Sequence, residues 1–235
     1  RWLPGLAQHF LRHKISLIAG AEYRQGEQPD TVLNEAKLFL TDNRLGYSHG
    51  CVITQQKGLP AHGERDQLRQ MFGKTFAPVS PVCHKRVYRH FGFDFGLLVC
   101  SELTNVSFRS KFRGRVDALF VLAWNRDLDS FNSLVESTAL DVHCYVILAN
   151  NRKYGDSRVR TPCSQNWRRD LVRLKGGVED YFVVTEIDIR ALREFQSHHE
   201  PPTGEDALFK PFPEGFKDNM AKTRKRIPEG KPDKH

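Results

Sequence analysis

An α/β protein with mixed sheets, buried on both sides, is the fold class this chain of 235 residues predicts. Three observations point there. Residues 92–103 run as Gly-Phe-Asp-Phe-Gly-Leu-Leu-Val-Cys-Ser-Glu-Leu, an apolar strand that breaks at Cys100 into a polar pair. Two further apolar runs, 118–124 and 145–149, flank a stretch with helical spacing at 127–143. Before these, three strand-like segments follow one another without a helix between them, so the sheets are expected to be mixed rather than purely parallel.

Taken in order, residues 1–12 place Trp2, Leu3, Leu6, Phe10 and Leu11 at helical spacing. Strands are expected over 15–23 and 33–40 and within 47–57, with a polar turn at 24–30. Residues 64–72 suit one or two helical turns, and Pro78 and Pro81 mark 73–85 as a loop. After the strand that ends at Cys100, 106–113 reads as helix and 118–124 as strand. In 127–143, Phe131, Leu134, Val135, Ala139 and Leu140 define the clearest helix. Residues 170–175 and 181–187 suggest a late hairpin around Gly176-Gly177, and Asp188 is placed to cap a short helix through Phe195. Beyond Ser197 the composition turns polar and proline-rich. The expected organisation is one domain over 1–197 and an extended basic arm over 198–235.

Charged residues make up 27% and hydrophobic ones 39%, which fits a folded globular chain rather than a disordered one. No apolar run approaches the ~20 residues that cross a bilayer, so no membrane partner is expected. Cys51, Cys83, Cys100, Cys144 and Cys163 form no CxxC pair, which argues against a zinc knuckle. Free thiols point to a reducing, cytoplasmic setting, with no metal and no cofactor. The net charge of +8 is partly concentrated in Lys217, Lys222, Arg224, Lys225 and Arg226, a tail able to meet nucleic-acid phosphates or simply to be solvated.

A cysteine at a strand-to-helix turn is either a packed core residue or a presented nucleophile beside the N–H groups of the following turn. Taken alone, Lys57 reads as a solvated lysine at a strand end and Glu64 as a helix-start acid. Three segments together favour a site: Gln55-Gln56-Lys57-Gly58-Leu59-Pro60-Ala61-His62-Gly63-Glu64, then Val99-Cys100-Ser101-Glu102, then Asn150 with Gly155-Asp156-Ser157. In this order and spacing the sequence resembles the nitrilase superfamily of carbon–nitrogen hydrolases, over roughly residues 5–195.

That resemblance implies a nitrilase-like four-layer α-β-β-α sandwich with two mixed β-sheets. It implies Cys100 as nucleophile, Lys57 as the cation that stabilises the developing anion, and Glu64 as the carboxylate that holds Lys57 charged. The backbone N–H of Ser101 would complete the anion site, and Trp124 and Asn125 would line the pocket. Glu102 receives no catalytic role, and His143 is read as a packed or capping residue rather than a base. The implied substrate is a small amide or nitrile, and the implied assembly a homo-oligomer paired through helical faces. The family's base is a glutamate on an earlier strand. Residues 1–14 contain no acid and Glu22 falls in the wrong place, so the reading expects that base, with the family's first strand and helix, in a preceding segment. Two contexts follow: a hydrolase within a larger protein, or an inactive assembly module of a multidomain protein such as a bacterial antiviral-defence reverse transcriptase.

Overall fold

In a computed structural model, residues 3–79, 86–198, 207–216 and 218–225 are described. They form two compact units, Arg1–His84 and Lys85–His235, each built on its own sheet.

The first unit opens with helix α1 (Leu3–His13) and continues as an antiparallel meander of β1 (Leu17–Gln25), β2 (Thr31–Asp42) and β3 (His49–Gln56). Phe10 of α1 meets Phe39 of β2, and Ala36, Leu38 and Phe39 are buried on the central strand. Helix α2 (Glu64–Phe72) matches the expected residues and buries Leu68. It ends at Gly73, whose φ of 61° closes the helix in the left-handed form that glycine adopts at least cost. The loop expected after it contains a two-residue strand, β4 (Thr75–Phe76), that pairs parallel with the start of β2. One parallel pair in an otherwise antiparallel sheet makes it mixed.

The second unit is a six-stranded sheet ordered β10-β9-β8-β7-β6-β5, with β5 (Tyr88–His90), β6 (Phe93–Val99), β7 (Ala118–Ala123), β8 (Tyr145–Asn150), β9 (Ser157–Arg160) and β10 (Asp170–Leu174). The central pairs β6–β7 and β7–β8 are parallel and the outer pairs antiparallel. Parallel strands need crossovers, which α3 (Val106–Ser110) and α4 (Leu128–Thr138) supply. Side chains alternate across β7. Leu119 and Val121 join the cluster under α4 with Leu98, Phe131 and Val135, whereas Ala118 and Phe120 face α5 (Ile189–Ser197) through Leu192 and Phe195. Asp188 caps α5 as the sequence suggests, accepting a hydrogen bond from the Ala191 N–H.

Three expectations are corrected. The stretch 127–143 does not continue as one α-helix: it is α up to Thr138 and then widens into a π turn over Ala139–His143. Residues 181–187 form no strand. Instead β10 pairs back onto β9, and Tyr181, Phe182, Val183 and Val184 lie exposed. Finally, the chain beyond Ser197 is no extended arm where it is described. Phe209 bridges to Cys163 and is buried, and helix α6 (Asp218–Lys225) buries Ala221 and Arg224. Residues 199–206 and 226–235 lie outside the described residues.

Candidate active site

In the first unit, β3 ends at Gln56 and delivers Lys57, whose backbone N–H bonds the Asn34 carbonyl at 2.7 Å. The Lys57 side chain is 2% exposed and its Nζ donates to Glu64 Oε2 at 2.7 Å. A buried ammonium is tolerated only with a partner, and Glu64, at the first position of α2, supplies one. Glu64 also accepts from the Ala61 N–H at 2.6 Å and from the Tyr23 hydroxyl at 2.5 Å. Burial by itself would raise the Glu64 pKa. The Lys57 ammonium, the Tyr23 hydroxyl and the Ala61 N–H overcome that and hold the carboxyl below its usual range. Lys57 and Glu64 are thus in contact, the pairing that the resemblance implied. Tyr23 and Asn34, which sequence reasoning missed, complete the surroundings, because strand register sets them there and no local pattern announces it.

In the second unit, Phe95, Leu97, Leu98 and Val99 are buried along β6 up to the strand's last residue. Cys100 then takes φ 52°, a left-handed conformation that is unusual for a residue bearing a side chain. A tight turn over Cys100–Thr104 follows, and Asn105 caps α3 by accepting from the Phe108 N–H. This is a strand-to-helix elbow. Cys100 is half-buried, in contrast to Cys144 and Cys163, which are buried, and Cys51, which is exposed. Cys83 lies outside the described residues. Glu102, 1% exposed, turns its Oε2 back to the Val99 N–H at 2.7 Å.

The neighbouring strand β7 runs with Leu122 opposite Val99, so Trp124 and Asn125 follow its end beside the elbow strand. Trp124 is 65% exposed. Asn125 is stitched to the end of β8: its N–H bonds Asn150 Oδ1 at 2.9 Å, and Asn150 Nδ2 returns to the Asn125 carbonyl at 2.8 Å. Ser101 is half-buried on the elbow itself.

Other sequence candidates resolve differently. His143 is fully buried, with Nε2 2.7 Å from the Lys210 carbonyl and Nδ1 3.2 Å from Gln196 Nε2. Burial pushes its pKa down to about 4, despite the bond to Lys210, so it is a packed neutral imidazole. Arg224, assigned from sequence to a phosphate-binding tail, is 4% exposed. Its guanidinium donates to Asp117 Oδ1 at 2.7 Å and to Gln196 Oε1 at 2.6 Å, so it does not face a nucleic acid. Lys222 is half-buried on the same helix, and the side chains of Lys217, Lys225 and Arg226 lie outside the described set. Among the described residues, no group of three His, Cys, Asp or Glu is arranged to hold a metal ion, and no helix is long and apolar enough to cross a membrane.

No protein-family model matches the chain, and no curated protein matches its sequence. Solved structures do. An amidase from Nesterenkonia sp. superposes with a TM-score of 0.54 at 18% identity, over 74% of this chain and 62% of the amidase. A CN-hydrolase superfamily protein from Xanthomonas campestris, with an arsenic adduct in its active site, gives 0.59 at 15% identity, over 84% of this chain and 71% of its own.

The fold is nitrilase-like.

A variant of the Nesterenkonia amidase in which acrylamide has added to the active-site cysteine gives 0.52 at 18% identity. This nitrilase-like chain spans only 61–63% of the length of the Nesterenkonia amidase structures. Its two mixed sheets agree with the sequence expectation of fold class.

Proposed function

We propose that this chain is the core of a cysteine-dependent carbon–nitrogen hydrolase acting on a small, non-peptide amide or nitrile. The observation that carries the reading is the elbow at Cys100: a half-buried thiol in left-handed backbone at the end of a buried strand. A core cysteine has no need of that conformation, whereas a nucleophile gains presentation from it. The buried Lys57–Glu64 pair adds support, since the resemblance pairs these two residues and both are found in contact. The amidase neighbours supply the substrate class by analogy.

In this reading the Cys100 sulfur attacks the carbonyl carbon, and the Ser101 N–H receives the anion. The C–N bond then breaks and the amine leaves with a proton. Water hydrolyses the thioester, releasing acid and restoring the thiol. Trp124 and Asn125 border the substrate. The proton transfers need a base, which the resemblance assigns to a further glutamate; a placed base contributes ~10²–10⁴-fold to such steps.

The test is ammonia release from acetamide and butyramide by the intact protein, together with peptide mapping after acrylamide treatment. Cys100→Ala is expected to lose both turnover and the adduct. Full ammonia release by Cys100→Ala would end the proposal.

A second reading, an inactive assembly module of a larger protein such as a defence reverse transcriptase, is favoured by the exposed apolar run from Tyr181 to Val184, which suits burial against another chain. It expects Cys100→Ala to be silent, and charged substitutions at Phe182 and Val184 to dissociate an assembly.

A further inference from the structure

We infer that Glu102 is a positioning residue for Cys100. The inference rests on reading Cys100 as the nucleophile. Glu102, the third residue of its turn, reaches back as a capping-box acid does, to the N–H of the residue before the turn. Its backbone lies two residues after Cys100, while its Oε2 bonds the N–H of Val99, the residue before Cys100, at 2.7 Å. The bond closes a ring with Cys100 and Ser101 inside it. Its backbone is held as well, because the Glu102 carbonyl accepts the Asn105 N–H at 3.1 Å, and Asn105 caps α3.

The ring answers a specific difficulty. A side-chain-bearing residue at φ 52° is strained and persists only where its surroundings over-determine it. Relaxation to extended backbone would simply lengthen β6 by a residue and turn the sulfur towards a sheet face. The Glu102 bond opposes this by capturing the last strand N–H from the far side of the elbow. At 1% exposure the carboxylate is costly to bury and is held by hydrogen bonding. Glutamate is suited to the task because its side chain spans the turn and ends in an acceptor; aspartate is one methylene shorter.

The test needs no substrate. Intact protein is treated with iodoacetamide and alkylation is followed cysteine by cysteine. Exposed Cys51 serves as the internal standard, and buried Cys144 and Cys163 as monitors of packing. Glu102→Ala is expected to slow Cys100 alkylation about tenfold relative to Cys51, on the scale that loss of alignment costs a reacting group, with Cys144 and Cys163 still protected. Glu102→Gln keeps an acceptor oxygen and is expected to restore the rate to within about twofold of the parent. An unchanged Cys100 rate in Glu102→Ala overturns the inference. So does exposure of Cys144 and Cys163 in both variants, which would mark Glu102 as general packing. A protein without amidase turnover that still showed the Cys100-specific loss and its rescue would fail the hydrolase reading alone.

Discussion

Lys57 and Glu64 define the residue scale. The ammonium is buried and the carboxylate only slightly open to solvent, so removing the charge of one strands the other. Glu64→Gln is expected to lower unfolding stability by about 2 kcal/mol in denaturant titration, less than for a wholly sealed pair because the carboxylate still touches water. The sign of the pH effect follows from the depressed folded-state pKa of Glu64. The pair stabilises fully above the unfolded glutamate value of about 4.3, and that share is lost as pH falls through the lower folded value. Glu64→Gln should therefore flatten the acid limb of stability below about pH 4, as read by the urea midpoint at successive pH values. The pairing came from the family resemblance, and seven residues of loop and helix start bring the two opposite charges to one strand end. The Tyr23 hydroxyl that joins them comes from 41 residues away, and only the β1–β2–β3 register puts it there.

At the scale of elements, β6 carries the elbow and its packing is close. A Cβ at Gly96 would lie 2.5 Å from Phe112 Cε1 and 2.7 Å from Cδ1, a ring fully sealed in the core. Gly96→Ala is expected to destabilise by roughly 1–3 kcal/mol through overpacking. It should also slow Cys100 alkylation, since displacement of β6 reaches the elbow; thermal melts and the iodoacetamide rate report the two effects separately. Helix α6 depends on one ion pair in the same way. Asp117 is fully buried and receives Arg193, Arg224 and the Asp94 N–H. Arg224→Ala leaves that carboxylate short of a partner and should cost about 3–5 kcal/mol by chemical denaturation. Strand and helix positions in this unit were legible from apolar periodicity because each repeats over several residues. The hairpin expected at 170–187 failed because β10 found its partner in β9, a strand of four residues that is too short and too arginine-rich to stand out.

For the whole molecule, acid should act on the two units in sequence. Burial holds His143, in the second unit, at about 4. The unfolded chain takes up that proton near 6.5, so the neutral form stabilises above 6.5 and the contribution is lost between about 6.5 and 4, up to about 3 kcal/mol. The Glu64 contribution in the first unit is lost only below that window. Hydrogen exchange by peptide is expected to rise first in 86–198 and later in 3–79, and His143→Asn should reduce the early rise. Fold class could be read from the chain because it is a pattern of spacing, whereas the cysteine, lysine and glutamate were singled out only by the family resemblance. The charge network around Asp117 could not be read from the chain. Its partners stand 76 and 107 residues along the chain, and a buried arginine has the same letter as a solvated one. For that reason the basic tail read as a surface, whereas Arg224 is interior.

Helix α6 has a consequence for how the protein is made. It leaves the ribosome after every element it clasps, so throughout synthesis Asp117 waits with the arginine of α5 as its sole cationic side-chain partner among those two helices. A message cut short just before Asp218 would release a chain with every described strand present and a fully buried carboxylate half-answered, a species for cellular proteases to find.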